Sequence, residues 1–240
     1  MIYEPRGRAK EYADLACNLA VGCEHRCLYC YGPDSMRVPK EDWPSIRFKD
    51  DAVERFRQSA RRYAGDPRMV LFSFATDPCA TPEAVSLLKK VLPICEEHRL
   101  KVAVLTKNPQ ATRSMWPMFA RQGWHLGTTI CFLDERDREW WEPGAPTIES
   151  RRRAIMDARA LGIFTFVSIE PVLHIDHGIE VIKAVRDEFD LVKVGKWNHD
   201  PRANGMDWTR LLREARVLLE GREHLFKKDL LVAAGEGGQP

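Results

Sequence analysis

The sequence lacks the features that would place it in a membrane or outside the cell. Among its 240 residues, no apolar run is long enough to span a bilayer, and the first eight residues contain no apolar signal segment. It also lacks an excess of charge of one sign, since the formal net charge is +2, so overall electrostatics give no case for nucleic-acid binding. We therefore expect a cytoplasmic protein without a membrane partner.

The composition is that of a folded globular protein. Hydrophobic residues make up 44% and charged residues 30% of the chain, which excludes extended disorder. The length suits one large domain with a substantial core. Seven cysteines are present, but their odd number and uneven spacing are not typical of a secreted disulfide scaffold.

Three of the cysteines, Cys23, Cys27 and Cys30, fall within eight residues, which we call the cysteine loop (residues 23–30). Sulfurs at this spacing converge only if the backbone turns back on itself, and converging thiolates need a cation to hold them together. The loop therefore predicts a metal centre. Three ligands leave one position open, where a substrate or cofactor can bind.

Six short apolar segments alternate with segments of helical character, which predicts an α/β fold with a parallel sheet covered by helices. The predicted strands are residues 15–21, 69–74, 101–105, 124–130, 163–169 and 191–194. Right-handed connections allow either an open doubly wound sheet or a full or partial barrel. Ligands bind at the carboxyl ends of the strands in both architectures, and the polar residues of interest follow those ends.

The pattern Cys23-x3-Cys27-x2-Cys30, with Tyr29 before the last cysteine and a strand before the loop, resembles the radical S-adenosylmethionine superfamily. Further segments are similar to the branch that includes spore photoproduct lyase, namely residues 22–31, 76–78, 105–107, 142–146 and 168–171. The resemblance covers about residues 15 to 200. It implies a partial (β/α)6 TIM-like barrel in residues 15–220, between an N-terminal extension (1–14) and a C-terminal extension with a flexible tail (221–240).

The resemblance also implies the chemistry. Cys23, Cys27 and Cys30 would each bind one iron of a [4Fe-4S] cluster, and S-adenosylmethionine would chelate the remaining iron. One electron, from a reductant such as flavodoxin or ferredoxin, would cleave a carbon–sulfur bond of S-adenosylmethionine. The resulting 5′-deoxyadenosyl radical would abstract hydrogen from a substrate.

Several residues match cofactor-binding positions of that branch. Tyr29 would lie beside the adenine, Thr76, next to Asp77, would place a hydroxyl against the methionyl part, and Lys107 would meet its carboxylate. Thr128 or Thr129 would add a hydroxyl at the end of the fourth strand. The alternatives are strand-end packing for the threonines and a solvated loop position for Lys107. The cofactor-binding candidates are Tyr29, Thr76, Asp77, Lys107, Thr128 and Thr129.

Glu170 and Cys79 are the catalytic candidates. Glu170 follows an apolar strand, so it would bind cofactor ribose, bind substrate, or pair with Lys196. Phe74 stands where spore photoproduct lyase has a hydrogen-donating cysteine, so the resemblance does not carry the lyase's own reaction to this chain. Cys79 or Cys131 would substitute as the thiol, with core packing as the alternative.

The substrate is not indicated by any motif, and a nucleic-acid base or nucleotide is a preference taken from the lyase. The run Arg151-Arg152-Arg153 and the pair Trp140-Trp141 would contact phosphates and bases. Alternatively, the arginines face solvent and the tryptophans belong to the core. His174, His177 and His199 match no metal-binding spacing and are interpreted as polar loop residues.

A second function class remains open on the sequence alone. The chain would then be a non-catalytic zinc or iron–sulfur binding or electron-transfer module, with Cys17 or another thiol as the fourth ligand. That hypothesis leaves the polar residues at successive strand ends unexplained. Cys17 and Cys95 are otherwise expected in the core.

Overall fold

The computed structural model describes residues 1–236, apart from the side chain of Arg8. The strands are β1 (Ile2–Tyr3), β2 (Leu15–Cys17), β3 (Ala20–Val21), β4 (Arg47–Phe48), β5 (Met69–Phe72), β6 (Lys101–Leu105), β7 (His125–Thr129), β8 (Phe164–Val172), β9 (Leu191–Lys196) and β10 (His224–Phe226). The larger sheet has eight strands in the order β1-β2-β5-β6-β7-β8-β9-β10. Each neighbouring pair from β2 onward is parallel, and β1 is antiparallel to β2.

Helices follow most of the parallel strands. They are α1 (Gly32–Met36), α2 (Ala52–Arg62), α3 (Pro82–Glu97), α4 (Trp116–Gln122), α5 (Glu135–Trp141), α6 (Ile148–Ala160), α7 (Ile175–Val185), α8 (Trp208–Leu218) and α9 (Lys228–Ala233). Shorter 3-10 helices cover Gly7–Glu11, Pro109–Met115 and Pro201–Gly205. Within residues 1–236, no helix combines the length and the apolar character needed to cross a membrane.

The strands bury both faces, as their near-continuous apolar sequences predict. One face packs against the helices in the main core, to which Val102, Val167 and Val192 contribute. The other face forms a smaller interior core around Leu71, Ala103 and Phe166, as expected for a sheet curved into a partial barrel. The predicted α/β fold with a helix-covered parallel sheet is confirmed.

The predicted first strand, residues 15–21, is divided in two. Cys17 ends β2, and the Asn18 side-chain oxygen accepts hydrogen bonds from the backbone amides of Phe74 and Ala75. After this break, β3 leaves the main sheet and pairs antiparallel with β4. The turn redirects the chain toward the cysteine loop, which follows β3 directly.

Both chain ends described by the structure join the main sheet. Strand β1 pairs with β2, and β10 adds a parallel strand beside β9 that the sequence did not predict. Strand β10 has only three residues, too short to give a clear apolar pattern. Residues 237–240 of the predicted flexible tail lie outside the described residues.

Candidate cofactor site at the cysteine loop

The cysteine loop turns back on itself through local backbone contacts. Arg26 has a φ of 54°, and the amide of Cys30 donates to the carbonyl of Cys27 at 3.1 Å. The thiol of Cys30 accepts from the amide of Gly32 at 3.4 Å. Cys23, Cys27 and Cys30 are partly exposed, whereas the other four cysteines are buried. Only the loop thiols are therefore open to an incoming group.

Burial disfavours the thiolate form of all three loop cysteines. Burial raises the pKa of Cys27 to about 12, against the opposing effect of the Lys107 ammonium. Burial also raises the pKa values of Cys23 and Cys30. Iron binding supplies the positive charge that makes thiolates stable in such surroundings.

Three thiols are a donor set of the kind that iron–sulfur clusters use. Within residues 1–236, no three His, Cys, Asp or Glu side chains are grouped so that they could hold one metal ion. A cluster presents separate irons to separate thiolates, so three spaced sulfurs suit it. Cys17 is fully buried in the main core, where it packs as expected and does not close a zinc site.

Asp77 joins the cysteine loop to the ends of two strands. Its carboxylate accepts from the Thr106 hydroxyl at 2.6 Å and from the amide of Lys107 at 2.7 Å. It also accepts from the amide of Cys79 at 2.8 Å and lies 3.1 Å from Nε2 of His25. Burial alone would raise the pKa of Asp77, but His25 and the hydrogen bonds lower it to about 2. The role of Asp77 in cofactor binding stays a prediction.

The segment after α5 closes over the same loop. Gly144 donates its amide to the carbonyl of His25 at 3.0 Å, and Nδ1 of His25 lies 3.1 Å from the Gly144 carbonyl. A Cβ atom at Gly144 would lie 2.3 Å from the carbonyl oxygen of Glu24, so only glycine permits this approach. His25 is thus held between Asp77 and Gly144 and is directed away from a ligand role.

Glu142 contacts polar side chains from three separate segments of the chain. It is fully buried, and its carboxylate accepts from the Tyr29 hydroxyl and lies 3.6 Å from Nζ of Lys107. Arg151 of α6 pairs with its other oxygen at 2.5 Å. Burial would raise the pKa of Glu142, but Lys107, Arg151 and Tyr29 outweigh it and lower the pKa. We call Tyr29, Glu142 and Lys107 the loop trio.

Within the loop trio, Glu142 contacts both Tyr29 and Lys107, which are predicted cofactor-binding residues. Lys107 lies over the Tyr29 ring, 5.5 Å from its centroid, and is mostly buried. Burial would lower the pKa of Lys107, but Cys27 and Glu142 raise it, so the ammonium stays charged beside the cysteine loop. The alternative of a solvated loop lysine is wrong.

Glu170 lies in a separate set of contacts. Its carboxylate accepts from the Tyr12 hydroxyl at 2.5 Å and lies 3.3 Å from Nζ of Lys227. The Lys227 ammonium is 2.9 Å from the centroid of the Tyr12 ring. We call Tyr12, Glu170 and Lys227 the interior trio. Lys196 lies over the Trp208 ring, so the alternative in which Glu170 pairs with Lys196 is wrong.

The predicted threonines differ in orientation. Thr129 follows Gly127 at a spacing of two, and Gly127 abuts the interior Phe166, so Thr129 faces the barrel interior. Thr128 faces the helices, is fully buried, and its hydroxyl has no hydrogen-bond partner among the described residues. Thr76 is nearly buried, with its hydroxyl 3.4 Å from the carbonyl of Asp77.

The two thiol candidates lie in different surroundings. Cys131 lies near the loop trio, with its sulfur 3.9 Å from the Tyr29 hydroxyl. Cys79 is 1% exposed and packs in the main core beside the Asp77 turn. Burial raises the pKa of both thiols. The catalytic assignment of Cys79 stays a prediction, and Cys131 lies closer to the cofactor-binding candidates.

The arginine run is not one solvent-facing surface. Arg151 is 1% exposed and also donates to the carbonyls of Thr129 and Pro146 at 3.1 and 2.9 Å. Arg152 pairs with Glu188, and only Arg153 is exposed. Helix periodicity turns consecutive residues to different faces, so a three-residue run cannot form one patch.

The tryptophan pair divides in the same way. Trp140 is 69% exposed, whereas Trp141 packs against Tyr29 and Trp197. The three histidines also separate, because His174 and His177 pack together while His199 stacks on Tyr31.

Comparison with known proteins identifies the fold. No family model matches the sequence. The chain is 25% identical over 187 residues to the uncharacterized protein ORF301 of Acidianus two-tailed virus, covering 70% of this chain and 60% of that protein. It matches spore photoproduct lyase complexed with dinucleoside spore photoproduct, with a TM-score of 0.62, 16% identity, and coverage of 91% of this chain and 64% of the lyase.

A second solved structure is Streptococcus suis SuiB bound to S-adenosylmethionine, with a TM-score of 0.64 and 13% identity. The match covers 94% of this chain and 53% of SuiB. The chain therefore shares its fold with spore photoproduct lyase and SuiB. The resemblance stated from the cysteine loop is thus confirmed at the level of the fold, and the chain spans less than two thirds of each of these three proteins.

Sequence reasoning missed Tyr12, Glu142 and Lys227, and also Lys193, whose ammonium lies 5.3 Å from the centroid of the Tyr12 ring. Glu142 belongs to the segment 142–146, which resembles the lyase branch, and this resemblance could have marked it as a candidate site residue. Lys193 interrupts the apolar strand β9, which was a second usable signal. Tyr12 and Lys227 carried no signal, because only folding brings the two chain ends together.

Proposed function

We propose that this protein is a radical S-adenosylmethionine enzyme. When bound, a [4Fe-4S] cluster and S-adenosylmethionine would supply reductive carbon–sulfur cleavage and a 5′-deoxyadenosyl radical that abstracts hydrogen from the substrate. The observation that carries the proposal is the set of three partly exposed thiols beside the buried Lys107 and Glu142. Cys23, Cys27 and Cys30 would hold the cluster.

The chain's own residues then orient the cofactor. Lys107, held by Glu142 and the Tyr29 ring, presents a fixed positive charge to the carboxylate of S-adenosylmethionine. The Tyr29 ring offers an apolar face to the adenine. Thr129, which faces the barrel interior, offers a hydroxyl to the cofactor, while Asp77 fixes the loop through His25.

The substrate we favour is a nucleic-acid base or nucleotide, and the electron donor is a flavodoxin or ferredoxin. Leu28, Tyr31 and Trp140 expose 57%, 45% and 69% of their surfaces, and the amide of Leu28 donates to Trp141 next to Trp140. Such exposed aromatic and apolar groups suit stacking on bases or contact with a partner. SuiB has been solved with its precursor peptide, so peptides form the competing arm of a substrate test.

The test is anaerobic reconstitution of the full chain with iron and sulfide, followed by dithionite and S-adenosylmethionine. We expect 5′-deoxyadenosine, measured by chromatography and mass spectrometry. Cys27→Ala should lose both the cluster absorbance and the product, whereas Cys79→Ala should keep the cluster. Stoichiometric zinc, or a cluster that leaves S-adenosylmethionine intact, would overturn the proposal in favour of a non-catalytic metal-binding module.

A labelled-substrate experiment then identifies the substrate class. Deuterated thymidine oligonucleotides and deuterated peptides are each incubated with the reduced enzyme. Transfer of deuterium into 5′-deoxyadenosine from the oligonucleotide alone is expected, and transfer from peptides alone would contradict the nucleotide preference.

A further inference from the structure

We infer that the barrel interior contains an anion-binding subsite centred on Lys193, which receives a phosphate or carboxylate group of the substrate. The substrate assignment rests on the proposed radical reaction, whereas the binding of an anion does not. The subsite consists of Lys193 and the neighbouring Ser168, with the interior trio beside them.

Lys193 is a buried cation without a carboxylate partner. Its residue surface is 9% exposed, and no described residue forms an ion pair with it. Its one hydrogen bond, to the backbone carbonyl of Tyr12, is long at 3.5 Å. An ammonium has three N–H donors, so most of its bonding capacity is unused.

The surrounding charges do not compensate for Lys193. The charged or titratable groups near it are Lys227, Tyr12 and His125, and its ammonium lies 5.3 and 4.7 Å from the centroids of the Tyr12 and Phe166 rings. The nearby carboxylates act on Lys227: Glu170 accepts from Tyr12 and pairs with Lys227, and Glu11 and Asp229 also raise the pKa of Lys227. Lys193 itself has no carboxylate partner among the described residues, so its charge lies uncompensated in a poorly solvated space, which is costly until an anion arrives.

The arrangement is built into the strands. Lys193 pairs in register with Ser168, whose hydroxyl is 2.9 Å from the Tyr12 hydroxyl. A Cβ atom at Gly195 would lie 2.6 Å from Cδ of Glu170, so glycine there lets the carboxylate lie across β9. The Glu170 side chain is 21% exposed, so the interior trio is open to solvent on the side of Glu170.

Burial and the nearby Lys227 lower the pKa of Lys193 to about 8, which agrees with a missing counter-charge. At neutral pH the ammonium is charged, and a bound anion would stabilise that form. Anion binding should therefore weaken as the pH rises above about 8. Sulfate is a suitable probe because it keeps its two charges throughout that range.

The test titrates sulfate and, separately, acetate into the reconstituted full chain saturated with S-adenosylmethionine, which occupies the position beside Lys107. Binding is measured by calorimetry. Lys193→Met should weaken the binding by about tenfold or more, as expected for the loss of one close charge. Lys183→Met, an exposed lysine on α7 without an ion pair in the described chain, should leave it unchanged.

Glu170→Gln provides a variant with the opposite sign. Removing the negative charge of Glu170 should tighten sulfate binding by about threefold to tenfold. Damage to the fold would not give this result. Preference for sulfate over acetate would identify a phosphate group, and the reverse a carboxylate. The inference would be overturned if Lys193→Met bound both anions as tightly as the wild type does. It would also be overturned if the wild type bound neither sulfate nor acetate.

The two proposals fail separately. Lys193-dependent anion binding without formation of 5′-deoxyadenosine would leave the subsite standing and remove the radical reaction. Formation of 5′-deoxyadenosine without Lys193-dependent binding would remove the subsite alone.

Discussion

The barrel contains two similar trios, each with a tyrosine, a glutamate and a lysine. In the loop trio, Glu142 is fully buried and Arg151 adds a second cation. In the interior trio, Glu170 is partly exposed and Lys193 stands nearby without a counter-ion. The same residue types therefore form a closed, rigid support beside the cysteines and an open cluster in the interior.

The difference between the trios shows what burial does to a charged group. Around Glu142, each ion pair is shielded from water, so removing one member strands the others. Around Glu170, water reaches the carboxylate and can replace a lost partner. The loop trio should therefore matter for stability, and the interior cluster for binding.

The largest expected effect is that of Glu142→Gln. It leaves Lys107 and Arg151 without their carboxylate, so we expect the free energy of unfolding to fall by about 3–5 kcal/mol. Glu170→Gln should cost less, about 1–3 kcal/mol, because the Glu170 side chain is 21% exposed although its partner Lys227 is buried. Urea denaturation followed by circular dichroism measures both. Glu220→Gln, at an exposed position, is the control, and equal losses for Glu142 and Glu170 would remove the contrast.

A smaller effect of opposite sign is expected for Lys193→Met. Since burial lowers the pKa of Lys193 to about 8, its charged form destabilises the folded state at pH 7. The substitution should raise the free energy of unfolding by about 2–3 kcal/mol at neutral pH. Above about pH 8 the folded protein releases this proton, so the gain should shrink as the pH approaches about 10.

The pH dependence distinguishes this effect from simple packing. Urea titrations at neutral and alkaline pH should give a gain that falls with pH for Lys193→Met and no comparable change for Lys183→Met. A loss of stability at neutral pH would show that the ammonium is already compensated.

The smallest effect separates the two tyrosines. Tyr29→Phe removes a hydroxyl that donates to the buried Glu142, for an expected loss of about 1–2 kcal/mol in unfolding free energy. Tyr12→Phe should cost less, because Lys227 and water still reach Glu170. Thermal denaturation compares them with Tyr63→Phe, whose hydroxyl has no hydrogen bond within residues 1–236. A larger loss for Tyr12 than for Tyr29 would reverse the comparison.

The sequence by itself determined the parallel sheet, the cysteine loop after an early strand, and the positions of Thr76 and Lys107 after strand ends. Each of these depends on local patterning: apolar runs, cysteine spacing, or the place of a polar residue after a strand. The prediction that Glu170 follows its strand was wrong, because β8 continues to Val172. The break at Asn18 and the short β10 were not predictable, because side-chain hydrogen bonds and pairing with distant strands decide them.

Only the tertiary structure decided which charges meet. Glu142 finds Tyr29 and Lys107 across distant segments, Glu170 finds Lys227 instead of Lys196, and Arg151 turns inward from its run. The energy of a charged group depends on burial and on neighbours brought close by folding, neither of which is encoded by sequence spacing. The cysteine loop could therefore be identified from the sequence, whereas the two trios and the uncompensated Lys193 required the folded chain.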